Sequence, residues 1–178
     1  VAGTDRSIDL YTLQREAEKL TNLPEELQGG LSVIQANEMH TPVFPNGCHV
    51  CEIELDEDTG ALEIVRYSTV DDVGRAINPL IVDGQTHGGI VQGVGQAMWE
   101  QCVFDDDGQP LSGSFMDYGM PRADHFPSFA TALNEVPSPT NPLGVKAGGE
   151  GGTTPALAVI VNAAMDALKD YNIRDLKM

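Results

Sequence analysis

The segment from Asn78-Pro79 to about Gln101 constrains the fold more than any other, because it has the length and apolar content of a helix yet contains Gly84, Gly88, Gly89, Gly93 and Gly95. Each glycine costs a helix interior about 1 kcal/mol relative to alanine. Five of them need a compensating reason, either close packing of a second element or approach of a ligand to the backbone. A second apolar segment, Ala156 to Leu168, is preceded by Thr154 as an N-cap and Pro155 at the first helical position. Apart from Asn162 and Asp166 it is apolar on nearly every face, which predicts a helix buried inside a larger body.

Around these two long helices the pattern is that of strands. Leu31 to Ala36 reads as one, and Cys48 to Leu55 as another, with Cys51, Ile53 and Leu55 alternating with Glu52, Glu54 and Asp56. Asp56-Glu57-Asp58-Thr59-Gly60 is a turn, and Leu62 to Val70 returns as a strand, so 48–70 is a hairpin. Val103-Phe104 and Gln109-Pro110-Leu111 flank a second acidic turn and suggest another hairpin, while Phe129 to Val136 reads as a further strand. Near the start, Ile8, Leu10, Leu13, Ala17 and Leu20 recur at helical spacing, predicting an amphipathic helix over 7–20. Antiparallel hairpins with two long helices make an α+β fold.

Charge narrows the function. The chain has 178 residues with 27 Asp and Glu against 10 Lys and Arg, a net charge of −17. This argues against a nucleic-acid partner, because phosphates are held by clustered basic residues. No apolar run reaches the ~18 residues of a membrane span, and neither a signal peptide nor an anchor is expected. Three cysteines do not make a disulfide framework, which points to a reducing compartment and a cytoplasmic location. The opening Val1 reads as an excerpt or a processed product.

Several constellations resolve into ordinary roles. Cys48-His49-Val50-Cys51 lies in a strand, where residues three apart face opposite sides, so the cysteines are expected to be buried structural thiols. The acidic turns fail the calcium-loop pattern. His40, His49 and His125 stand alone and His87 lies in the glycine-rich helix, leaving no metal site among them. Gly93 to Met98 lacks the third glycine of a dinucleotide fingerprint. The run Gly148-Gly149-Glu150-Gly151-Gly152-Thr153-Thr154-Pro155 is different, since a glycine-rich turn feeding a helix presents backbone N–H groups to an electron-rich ligand. Glu150 is then either an incidental surface carboxylate or a positioned general base with room for a large cofactor or substrate.

Two ordered motifs are more specific. Gly74-Arg75-Ala76-Ile77-Asn78-Pro79, continued by Gly84-Gln85-Thr86-His87-Gly88-Gly89-Ile90-Val91-Gln92-Gly93-Val94-Gly95-Gln96-Ala97, resembles the molybdopterin-binding large subunit of the xanthine oxidase family of molybdenum hydroxylases, and Lys146-Ala147-Gly148-Gly149-Glu150-Gly151 resembles that family's glutamate loop. The likeness covers nearly the whole chain, and its wording is nearest to carbon-monoxide-dehydrogenase-like large subunits. It implies that residues 1–178 are the C-terminal part of the second molybdopterin-binding domain of a larger catalytic subunit, with an isolated chain that is inactive. It also implies that Glu150 is the catalytic base that makes a water-derived oxygen nucleophilic. Gln85, Ala147, Gly148 and Gly149 would bind the cofactor, molybdopterin in its plain or cytosine dinucleotide form, with no protein ligand to the metal. An aldehyde, an N-heterocycle or carbon monoxide would be hydroxylated oxidatively. Electrons would leave through iron-sulfur clusters to FAD on other domains or subunits. The competing expectation is a non-catalytic acidic module that assembles with a partner, which has no need of Glu150.

Overall fold

The computed structural model describes residues 2–28, 30, 34–173 and 176. It divides into two compact units, one up to Glu38 and one from Met39 onward. In the first unit, α1 spans Leu10–Ala17, capped by the Asp9 carboxylate, which accepts the Thr12 N–H at 2.9 Å. This helix is shorter than the pattern over 7–20 suggested, and none of its residues is buried. With Leu10 and Tyr11 left open to solvent, no packed face extends the helix beyond its cap. Of the strand expected over 31–36, residues 31–33 lie outside the described residues, and Ile34 to Ala36 form no strand.

The second unit begins with the expected hairpin. Strands β1 (Asn46–Leu55) and β2 (Leu62–Asp72) are antiparallel, with a register shift between Glu52 and Ile53. Their turn is closed by Asp56 Oδ1, which accepts the Asp58 and Thr59 N–H groups, while Gly60 takes φ +74°. Strand β3 (Ala130–Leu133) is shorter than expected and pairs parallel to β2, so the three-stranded sheet is mixed rather than built of antiparallel hairpins alone. The second hairpin does not form as strands. The turn at 105–108 is closed by one antiparallel bridge, Phe104 to Pro110, flanked by the bonds from Asp105 N–H to Gln109 O and from Leu111 N–H to Val103 O.

Helix α2 spans Pro79–Met98, with Pro79 at its start and the Asn78 side chain accepting the Ile81 N–H. Helix α3 spans Thr153–Ala167. Its cap is Gly152, without a side-chain bond, so Thr154 and Pro155 lie inside the first turn rather than at its boundary. The reason is steric. A Cβ on Gly152 would lie 2.5 Å from the Thr86 carbonyl oxygen and 2.9 Å from Ile90 N, so the entry to α3 is pressed against α2 where only glycine fits. The same contact explains two glycines of α2: a Cβ on Gly89 would lie 3.0 Å from Gly152 Cα, and one on Gly93 would lie 2.6 Å from Thr153 O and 2.7 Å from Ala156 Cβ. Backbone approach of this kind is what glycine makes possible.

The core lies between this helix pair and the sheet, and contains Ile64, Tyr67, Ile90, Val94, Ala156 and Ile160. Helix α3 is buried along the line Ala156, Ile160 and Ala164, and its opposite line, Thr154, Ala158, Asn162 and Asp166, is exposed. Within this chain, then, one face of the helix is packed and the other is left open. Cys48 and Cys51 do face opposite ways on β1, but Cys48 is exposed and Cys51 only half-buried, which corrects the expectation of two buried thiols.

Candidate active site

A cleft of about 530 Å³ opens where five pieces of backbone converge. Its walls are the start of β1 (Pro45, Asn46, Gly47), the end of β2 with Val73, Thr86 of α2, the loop 147–151, and Thr154 and Pro155 of α3. Ala147, Gly148, Gly149 and Glu150 all line it. Gln85 stands beside it, its Nε2 donating to the Gly149 carbonyl at 3.4 Å. The residues named from sequence are thus brought together by contact of α2 with the loop, across 64 positions of chain.

Both ends of the loop are fixed. On the N-terminal side the Lys146 N–H donates to Val73 O at 2.8 Å, and Val145 bridges Gly74. Asn141 brackets Val145, accepting its N–H at 3.0 Å and donating to its carbonyl at 2.9 Å. The Lys146 side chain is 12% exposed, and its ammonium donates to Asp72 Oδ2 at 2.5 Å. Asp72 Oδ1 in turn accepts the Gly74 N–H at 2.8 Å and the Val136 N–H at 3.1 Å. Burial works to raise the Asp72 carboxyl, but Lys146 and the two N–H donors outweigh it and hold it below its ordinary value. On the C-terminal side the Thr153 N–H donates to Glu150 O at 3.1 Å, and Thr153 Oγ1 meets Gln92 at 3.2 Å.

Between these anchors, no hydrogen bond among the described residues occupies the N–H groups of residues 147–151. The Glu150 side chain is exposed and has no ion-pair partner among the described residues. A Cβ on Gly148 would press on Val73 Cγ1 at 2.9 Å, so this position is closed by packing. Gly149 and Gly151 are different. A Cβ there would meet its nearest atom at 3.7 Å and 3.8 Å, ordinary contact distances, and neither residue has positive φ. The fold does not require glycine at these two positions, whereas a ligand lying against the loop would.

Residues 17–127 match the molybdopterin cofactor-binding domain family. The chain belongs to that family. It is 39% identical over 171 residues, 96% of its own length, to the gamma subunit of the 6-hydroxypseudooxynicotine dehydrogenase complex of Paenarthrobacter nicotinovorans, and covers 22% of that protein. It is 33% identical to the carbon monoxide dehydrogenase large chain of Afipia carboxidovorans, with 87% of this chain and 19% of that one covered. Among solved structures, Cu,Mo-CO dehydrogenase superposes with a TM-score of 0.80 at 33% identity, over 87% of this chain and 20% of that one. Quinoline 2-oxidoreductase from Pseudomonas putida 86 gives 0.71 at 37% identity, over 74% and 17%. The chain therefore spans about a fifth of the length of these relatives, and the xanthine-oxidase-family kinship read from its motifs holds.

The donor set of this molybdopterin-binding domain suits its family's cofactor: a row of unengaged N–H groups, a neutral amide at Gln85 and two positions kept bare of side chains. Among the described residues no three His, Cys, Asp or Glu side chains converge as metal ligands, and no helix is long and apolar enough to cross a membrane.

One polar array escaped the sequence reading. His49, taken as solitary, is buried, its Nε2 3.1 Å from Asp71 Oδ1 and its Nδ1 2.9 Å from the Tyr67 hydroxyl. The Thr69 hydroxyl donates to Asp71 Oδ2 at 2.8 Å, and Asp71 lines the cleft. Burial first, then Cys51 and Asp71, pushes the Tyr67 phenol up, so it remains a proton donor. The Cys51 thiol is raised to about 11 by burial and then by Glu52, leaving it an unreactive neighbour. The available signal was the two-residue period: His49 and Cys51 share a strand face, as do Tyr67, Thr69 and Asp71.

Proposed function

We propose that residues 1–178 form the C-terminal part of the second molybdopterin-binding domain of a molybdenum hydroxylase large subunit, and that Glu150 is the general base of its reaction. The observation that carries this reading is the loop itself: a carboxylate open to the cleft, between glycines that packing does not require. When bound, molybdopterin supplies a two-electron redox centre whose metal is held by the cofactor's own sulfur ligands. The N–H groups of Ala147, Gly148 and Gly149 and the Gln85 amide hold and orient the cofactor. Glu150 takes a proton from the water whose oxygen attacks the substrate carbon. That substrate is an N-heterocycle, an aldehyde or carbon monoxide, by kinship with proteins named for nicotine, quinoline, an aldehyde and carbon monoxide. Electrons pass to iron-sulfur and flavin partners in the same cytoplasmic assembly.

The test uses the whole enzyme that carries this chain, with nicotine, quinoline and carbon monoxide as successive probes. Under anaerobic conditions Glu150→Gln should keep its pterin while bleaching of the iron-sulfur chromophores by the active probe slows ~10²–10⁴-fold, the usual effect of removing a general base. Near-wild-type bleaching in a fully loaded variant would remove the catalytic assignment and favour the assembly module.

A further inference from the structure

We infer that the Lys146–Asp72 ion pair is a positioning device for the catalytic loop, setting where the Glu150 carboxylate stands in the cleft. This inference rests on the reading of Glu150 as the base. Lys146 immediately precedes the stretch 147–151, whose N–H groups are engaged by no hydrogen bond among the described residues, while its Gly149 and Glu150 carbonyls accept from Gln85 and Thr153. A loop of that kind takes its path from its ends. The far end is the first turn of α3, pressed on α2 through Gly152. The near end is Lys146, whose N–H is bound to Val73 O and whose ammonium is bound to Asp72.

Asp72 is more than a counter-ion. One of its oxygens gathers the N–H groups of Gly74 and Val136, from segments 62 residues apart, and the other takes Lys146. The aspartate thereby ties three segments at one point: the end of β2, the stretch after β3 and the root of the loop. Both partners are nearly buried, with side-chain exposures of 12% and 11%. An ion pair in such a place is poorly screened, and removing one partner leaves the other charge uncompensated. A loop free to follow packing alone would have no use for a nearly buried charge pair at its root.

Asp72→Asn in the whole enzyme separates the two jobs of the aspartate. It keeps an oxygen for Gly74 and Val136 and removes the charge that holds Lys146. Amide exchange read on peptides covering 144–154 should quicken by about tenfold or more, through Lys146 and Thr153, whose N–H groups are bonded in the wild type. Peptides covering 48–56 and 62–70 should stay within about twofold. Lys146→Met should behave likewise, and Lys146→Arg, which keeps the charge, should restore slow exchange. With the probe that reduces the wild type, the maximal bleaching rate should fall in Asp72→Asn and Lys146→Met at unchanged pterin content and unchanged half-saturation. Unaltered exchange over 144–154 in both variants would overturn the inference, as would equal quickening across the hairpin or failure of arginine to rescue. The exchange measurement needs no substrate, so its failure is distinguishable from failure of the Glu150 assignment. A silent Glu150→Gln beside quickened loop exchange would leave the clasp in place and remove its catalytic meaning.

Discussion

Glycine is used twice around this cleft, for opposite reasons. Gly89 and Gly93 of α2 are filled against: a Cβ on either would press on the first turn of α3. Gly149 and Gly151 of the loop are left open, since a Cβ on either meets nothing closer than ordinary contact. The first pair is explained by the chain's own packing and the second is not. The contrast separates glycines that the chain's own packing requires from glycines that it does not, and the proposed cofactor would lie against the second pair. Gly84 and Gly88 also have nothing within 4 Å of an added Cβ, but neither lines this cleft.

The comparison can be broken first at its strongest point. Glu150→Gln lies between the open glycines, and its expected ~10²–10⁴-fold slowing corresponds to roughly 3–5 kcal/mol of lost transition-state stabilisation, without loss of fold. Gly93→Ala is the opposite case. Overpacking against Thr153 and Ala156 should destabilise by about 1–3 kcal/mol, only partly offset by the better helix propensity of alanine. Denaturant unfolding of the wild-type and variant proteins would show it as a lowered midpoint, and a stabilised Gly93→Ala would mean that α2 and α3 are not in backbone contact there.

Sequence pattern reached a good part of this and stopped for identifiable reasons. The hairpin at 48–70 and the Asn78-Pro79 start of α2 were legible, because alternation and capping chemistry are local signals. The parallel pairing of β3 was not, since the partner of a strand is a matter of topology rather than of its own residues. The cap of α3 was misassigned to Thr154, because the Thr-Pro signal was overridden by the tertiary contact at Gly152. His49 and Lys146 were missed for a related reason. Their partners stand 22 and 74 residues away, so nothing near them in the chain reveals what they bind.

A smaller effect concerns the loop's anchor on the closed side. The folded state holds the Asp72 carboxyl below its unfolded value through Lys146 and two N–H donors, against the opposing effect of burial. A carboxyl depressed by folding contributes stability above its unfolded value, and that contribution is lost as the pH falls through the folded value. Unfolding midpoints of the wild type should therefore decline on acidification below the ordinary aspartate range by more than those of Asp72→Asn, which has no such carboxylate to protonate. Parallel curves for the two proteins would mean that the clasp gives no preference to the charged form.

The smallest expected change in stability is also the one that tests the contrast most directly. Gly149→Ala adds a methyl group whose nearest neighbour, Gln85 Nε2, would be 3.7 Å away, and the backbone there does not have positive φ. The folded chain has no reason to resist it, and reduced freedom of the unfolded chain contributes ~0.4–1 kcal/mol in favour of folding. Unfolding should accordingly be unchanged or slightly harder. Yet the same methyl enters the cleft beside the N–H groups assigned to the cofactor, so pterin content of the whole enzyme should fall. Gly93→Ala should reverse the pattern, losing stability first and cofactor only in proportion to unfolded protein. If Gly149→Ala kept both stability and full pterin content, glycine at 149 would be required neither by the fold nor by the ligand, and the open pair would lose its claim to mark the cofactor's approach.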